Sequence, residues 1–146
     1  MKLNSNVYSF RTNDIASFEK ARHIREKVFI VEQNVDRDEE FDDYEDESIH
    51  YLLEVDGEPV GTARWRHIGD QVKLERFAVY LSHRNQGYGL NLLNQVMKDA
   101  LETGKDLFMH AQVKALSFYE RRGFKKVGEQ FLECDIEHFK MVFKNK

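Results

Sequence analysis

Between residues 72 and 101 the chain runs VKLERFAVYL, then SHRNQGYG, then LNLLNQVMKDAL, and this succession constrains the fold more than any other feature. The first piece is rich in β-branched and aromatic residues and predicts a strand over 71–79. The last carries Leu90, Leu93, Val96, Met97, Ala100 and Leu101 on one stripe and predicts a helix closed by Gly104. A strand that hands over to a helix through so short a turn must lay that helix back on its own sheet. The turn holds Gly87 and Gly89 one residue apart, with Arg84 three positions before the first.

The rest of the chain fits around that unit. Asn4 to Arg11 alternates as a strand, and Thr12-Asn13-Asp14 offers capping oxygens for a helix with Phe18, Ala21, Ile24, Val28 and Val31 on one side, ending near Gln33. Strands are expected at Ile49 to Val55 and Pro59 to Trp65, joined antiparallel by the turn pair Asp56-Gly57. After Gly104 come a short strand, Asp106 to Ala111, a helix over Val113 to Arg122 closed by Gly123 with Phe124 packing back, and two strands around 125–133 and 138–144. The order predicts an α+β fold, a mixed, mostly antiparallel sheet covered by helices. At 146 residues with one proline, no Gly/Ser linker and no internal repeat, one domain over 1–146 is expected.

Charge narrows the partners. The net charge is −4, yet residues 36–47, DRDEEFDDYEDE, hold nine acidic residues and one basic one, so the remainder carries +4 and suits a small polyanion. No basic stripe with interleaved aromatics supports nucleic-acid binding, and no apolar run is long enough to cross a bilayer. The residues after Met1 lack a secretory pattern, and a lone Cys134 fits a reducing cytoplasm. The acidic window reads as a solvated loop, or a lid that attracts cationic acceptors. Its calcium-like spacing fails because Phe41 stands where the turn glycine belongs. The six histidines show no ligand spacing, so no metal is expected.

Consecutive backbone N–H groups in a glycine-rich turn that opens a helix converge on an anion, and Arg84 could add a charged contact. An ordinary strand-to-helix turn would look the same. Two phosphate motifs fail here: there is no Gly-Lys-Ser/Thr, and Leu92 stands where a dinucleotide fingerprint needs its third glycine.

What matches is the pattern Q/R-x-x-G-x-G/A, here Arg84-Asn85-Gln86-Gly87-Tyr88-Gly89, which resembles the acetyl-CoA loop of the GNAT superfamily of N-acetyltransferases. Ala115-Leu116-Ser117-Phe118-Tyr119 through Gly123-Phe124 resembles the last helix of that family. Ile24 to Gln33 with His50, and Asp135 to Met141, resemble its YjcF/ElaA-like branch. The resemblance implies a sheet whose central strands splay apart around acyl-CoA, with helices on both faces. It also implies acetyl transfer from acetyl-CoA, as cosubstrate, to an amine acceptor by direct attack. CoA would be held by Phe77, Ala78 and Val79, by the loop residues Arg84, Asn85, Gln86, Gly87, Tyr88 and Gly89, and by Gln112 and Tyr119. A binding domain that senses acyl-CoA without turnover is the alternative, and a homodimer is left open.

An ammonium with a lysine-like pKa of about 10.4 must lose a proton before it can attack a thioester. Two bases are candidates. Glu75 precedes Phe77 and Val79 by two and four residues, and strand alternation would put all three on one face, opposite Leu74 and Ala78. His138 begins the final strand and carries an imidazole whose reference pKa is about 6.5. The resemblance favours His138. It also makes Tyr119 the acid for the leaving sulfur and puts an N–H near Val79 at the thioester oxygen; packing alone would make Tyr119 a core aromatic. Cys134 reads as a packed thiol rather than a nucleophile.

Overall fold

A computed structural model of the chain describes residues 4–146, so the first three positions of the amino-terminal reading lie outside the described residues. Strand β1 (Ser5–Phe10) pairs antiparallel with β2 (Ile49–Val55), and β2 turns into β3 (Glu58–Ile68) through Asp56 and Gly57. Their φ angles of 51° and 84° are those of the tight turn that Asp-Gly favours. Strand β4 (Gln71–Val79) continues antiparallel, followed by β5 (Asp106–Gln112), β6 (Lys125–Glu133) and β7 (Ile136–Phe143). The sheet order is β1-β2-β3-β4-β5-β7-β6, and only β4 and β5 run parallel. The helices are α1 (Ile15–Arg25), α2 (Arg37–Glu40), α3 (Tyr88–Leu101) and α4 (Leu116–Glu120). This is the expected α+β architecture.

The two faces of the sheet bury separate cores. Asp14 caps α1, accepting from the Ser17 N–H at 3.2 Å, and the helix sets Ala21 and Ile24 against Phe10, Leu52 and Ala78. On the other face α3 buries Leu92, Leu93, Val96, Met97 and Ala100 against Tyr51, Leu53, Trp65 and Leu74. Each such leucine or isoleucine contributes about 1.5–3 kcal/mol by leaving water. Leu90, expected on the stripe, is half exposed in the first turn of α3.

Two helices differ from their expected form. The first ends near Gln33 as its pattern indicates, but its second half, Glu26–Glu32, is a π-helix. The wider π turn breaks the 3.6-residue stripe, so Val28 and Phe29 are buried while Val31 is 68% exposed. The segment Val113 to Arg122 splits into a 3₁₀ turn, Val113–Ala115, and the short α4. Gly123 closes it at φ 98°, where a side chain would strike Phe143 at 2.9 Å, and Phe124 packs into the core.

The sheet opens where β4 meets β5. Their pairing covers only Gln71↔Asp106, Val72↔Leu107 and Lys73↔Phe108; beyond Lys73 the strands part. The cause lies in β4. Thr62 faces Ala78 and Arg64 faces Glu75, so Ala63 of β3 stands opposite both Arg76 and Phe77. Arg76 is the extra residue of a β-bulge, at φ 61°, and bends its strand away from β5.

Candidate active site

The gap between β4 and β5 is part of a cleft of about 940 Å³ that runs from the glycine loop to the β6–β7 turn. Residues of β4 from Lys73 to Val79 line one side and Met109 to Gln112 of β5 line the other. The Tyr80 N–H donates to the Val60 carbonyl at 2.9 Å, across to β3. Antiparallel pairing alternates direction, so Phe77 and Val79 aim their backbone groups into the gap. The Val79 carbonyl is taken by Arg84 Nε at 2.8 Å, which leaves its N–H facing the cleft.

At one end of the gap lies the loop. Asn85 and Gly87 have φ angles of 61° and 87°, and Gly87 caps α3. Among the described residues, none of the backbone N–H groups of residues 85–90 donates to a protein acceptor; the first α3 amide with a partner is Asn91, bonded to Gly87. Alternating backbone conformations ahead of a 14-residue helix make a nest for an anion. A side chain at Gly87 would meet no atom within 4 Å, so only its positive φ demands glycine. Arg84 departs from the phosphate contact expected of it. Its guanidinium grips Glu32 in a two-pronged pair at 2.6 and 2.8 Å, and thereby ties the loop to the end of the π-helix. Gln86 turns back to the Ser82 carbonyl at 3.1 Å, while Asn85, Gly87 and Gly89 line the cleft. Tyr88 stacks obliquely on His83.

The bulge overturns the face assignment of Glu75. Leu74, Phe77 and Val79 belong to the core under α3, whereas Ala78 packs with the α1 core. The residue inserted at Arg76 reverses the alternation, so Glu75 shares the α1 face with Ala78 and not with Phe77 and Val79. Glu75 is nearly buried among cations: Arg64 Nε donates to it at 2.6 Å, and Arg66 and Lys73 stand at 3.3 and 3.2 Å. Burial alone would raise its pKa, but Arg64, Lys73 and Arg66 outweigh burial and hold the carboxyl down to about 2.

The acidic window is a solvated loop only in part: Asp36, Asp38, Glu39, Asp43, Asp46 and Glu47 are exposed, while Glu40, Asp42 and Glu45 turn inward. Buried Arg64 also binds Asp42 at 2.7 Å and Glu45 at 2.8 Å, while buried Arg25 binds Glu40 at 2.9 Å and Glu45 at 2.8 Å. Arg76 reaches Asp42 at 3.1 Å from the bulge itself. The segment therefore neutralises interior arginines and straps α1 to the bend in β4. Burial would raise Asp42, but the Arg64 pair holds it down to about 2, and Glu45 is likewise lowered by Arg25 and Arg64. Glu40 is the exception, pushed up by burial more than Arg76 and Arg25 pull it down.

Tyr119 and His138 both reach the cleft, from opposite faces. Tyr119 sits among Phe77, Phe118 and Phe124 with ring centroids 5.2–6.2 Å away, and burial raises its pKa. Among the described residues no fully buried side-chain oxygen lacks a partner, and the Tyr119 hydroxyl has none; the oxygen therefore opens onto the cleft. His138 is buried beside Phe131, its Nδ1 2.6 Å from the Ile136 carbonyl. A carbonyl only accepts, so Nδ1 carries a proton, and in the neutral ring the lone pair is on Nε2. Gln112, opposite His138 in the β5–β7 ladder, donates to Gln33 at 2.9 Å and closes the cleft wall. The Cys134 thiol donates to Glu39 at 3.3 Å, and burial with that carboxylate pushes its pKa up to about 11, which leaves no thiolate for attack at neutral pH. Two cleft residues went unnoticed in the sequence as a pair: His110 of β5 and Glu133 of β6, joined at 3.0 Å. They lie 23 residues apart and their strands are separated by β7, so no local pattern signals them.

Comparisons with known proteins agree with this fold. A family model described as an acetyltransferase (GNAT) domain matches residues 16–145. Over 125 residues the chain is 41% identical to a Bacillus subtilis (strain 168) protein named uncharacterized N-acetyltransferase YjcF, covering 84% of this chain and 89% of that protein. Its structure is similar to an acyl-CoA N-acyltransferase from Pseudomonas aeruginosa, at 25% identity and TM-score 0.85 over 95% of this chain and 99% of the other. Escherichia coli ElaA has the same fold, at 23% identity and TM-score 0.86 over 97% of this chain and 100% of the other.

Proposed function

The chain belongs to the GNAT acetyltransferase family, and from that premise we propose that residues 1–146 form one N-acetyltransferase domain. It would move an acetyl group from acetyl-CoA to the amine of a small molecule or peptide by direct attack in a ternary complex. The observation that carries the reading is the run of unbonded amides at residues 85–90 opening into the gap beyond Lys73. The nest suits a pyrophosphate, and the open edge of β4 suits an extended amide-bearing arm. Lys114, Arg121 and Arg122 along the same cleft add positive charge for a polyanionic cosubstrate.

In this reading acetyl-CoA supplies an activated thioester, and the protein's side of the reaction falls to four groups. The Val79 N–H stabilises negative charge that develops on the thioester oxygen. His138 Nε2 removes a proton from the acceptor ammonium, since its lone pair is free and its ring is held by Ile136. Tyr119 is placed to protonate the departing sulfur; burial raises its pKa and so keeps the phenol in the protonated form that this role requires. Glu75, anionic and surrounded by Arg64, Arg66 and Lys73, is a poor proton acceptor and shapes the acceptor face instead. Mass spectrometry of a metabolite extract incubated with the protein and acetyl-CoA tests the activity. Acetylated amines that form only with the protein support it; CoA binding with no acetylated product would leave a sensing domain.

A further inference from the structure

Glu133 occupies the acceptor side of the cleft between two imidazoles. Its Oε1 lies 3.0 Å from His110 Nδ1, and its Oε2 lies 3.8 Å from Nε2 of His138. The first distance is a hydrogen bond that fixes the carboxylate. The second is too long for one, and with the His138 ring neutral both atoms facing across it are acceptors, because the one proton of the neutral ring sits on Nδ1 at the Ile136 carbonyl. Phe131 braces both rings, edge-on to His110 at 5.0 Å and stacked on His138 at 5.8 Å, so the spacing is built in.

Two acceptors 3.8 Å apart can be bridged by a single nitrogen that donates to each at about 2.9 Å, with an angle at that nitrogen near 80°. A protonated primary amine supplies such donors and the opposite charge. We propose that Glu133 is the anchor for the acceptor's ammonium group, oriented by His110, and that the site selects small cationic primary amines over neutral amines and alcohols. This rests on the acetyltransferase reading of the cleft. One N–H then points at Glu133 Oε2 and another at His138 Nε2. Loss of the second proton to His138 leaves a neutral amine held by Glu133 and free to attack the thioester carbonyl, while the imidazolium stays beside the carboxylate.

The surrounding charges agree. The hydrogen bond from His110 lowers the Glu133 pKa against the effect of burial, and Lys73 on β4 acts in the same direction. Cys134 in the turn is held neutral next to Glu39, and Glu133 is the carboxylate within 4 Å of His138 Nε2. The carboxylate is thus ionised at neutral pH, where an acceptor amine is protonated.

The test is a titration of the CoA-loaded protein followed by long-range proton–nitrogen NMR of the histidine rings. n-Butylammonium is the probe and n-butanol its neutral counterpart. The expected result is a saturable shift at His138 with n-butylammonium and none with n-butanol, and affinity for the amine at least tenfold weaker in Glu133→Gln with CoA affinity unchanged. No response to n-butylammonium in the wild type, an equal response to n-butanol, or undiminished amine binding in Glu133→Gln would each overturn the anchor. Failure of CoA itself to bind would instead overturn the reading on which it rests. A merely structural role for Glu133 would not produce discrimination between the charged and the neutral probe.

Discussion

Tyr119 carries an oxygen that none of its aromatic neighbours can use. Replacing it with phenylalanine preserves the packing and removes only the proton, so Tyr119→Phe should lower kcat by roughly 10²- to 10⁴-fold while CoA affinity changes little. Retained turnover with a lower Tm would make it a core aromatic. For His138 the pH dependence of kcat/KM is the better measure, because that quantity reports ionisations of the free enzyme. His138→Ala should abolish the limb that rises with pH and leave CoA binding intact. A full profile in that variant would move the base role to an ordered water. Glu75→Gln should chiefly reduce stability, since it strips a carboxylate from Arg64, Arg66 and Lys73 rather than a base from the cleft.

Among the elements, β4 and the acidic segment form one device. The extra residue at Arg76 opens the sheet, and the carboxylates Glu40, Asp42 and Glu45 pair with buried Arg25 and Arg64 and with Arg76 of the bulge. Removing one partner of such a buried cluster is costly, and Arg64→Met should lose about 3–5 kcal/mol in denaturant unfolding. The sign of the acid response follows from the same contacts. Asp42, Glu45 and Glu75 are held below their ordinary range, so their stabilisation is full above about pH 5 and is lost as pH falls through the lowered values, which lie at about 2 for Asp42 and Glu75. Glu40, raised, works in the opposite direction and offsets part of the loss. A fall in Tm between about pH 5 and pH 3 that is absent in a chain lacking Arg64 would identify the cluster as its source.

The strands and the hairpin were legible because alternation and Asp-Gly are local signals, and β4 was placed from Gln71 to Val79 as the structure has it. The bulge was not legible: Arg76 takes φ 61° without glycine, and the contacts that impose it come from residues 39–42, more than 30 positions away. The acidic window misled for the same reason. Charge in sequence looks solvated until its buried partners, Arg25 and Arg64, are brought to it by the fold. The nest at 84–89 could be read because glycine and a helix start are both visible in sequence, whereas the capture of Arg84 by Glu32 joins residues 52 apart.

Across the whole molecule, the sheet divides labour between its faces. The α3 side carries the nest and Tyr119, the α1 side carries Glu133, His138 and the arginine cluster, and the gap between β4 and β5 joins them in one cleft. A ligand that bridges both halves of the sheet should stabilise the fold as a unit, by about 2.7 kcal/mol at one hundred times its Kd, read as a rise of several degrees in Tm. The central claim, that this cleft is a CoA site anchored at the nest, is tested most directly by calorimetric titration of CoA into the wild-type protein and Gly87→Glu. Micromolar-range binding is expected in the wild type and none in a folded Gly87→Glu, whose carboxylate would stand where the unbonded amides converge. Gly87→Ala, which strains the turn without adding charge, should bind with intermediate affinity. Undiminished binding in folded Gly87→Glu, or no binding in the wild type, would contradict it.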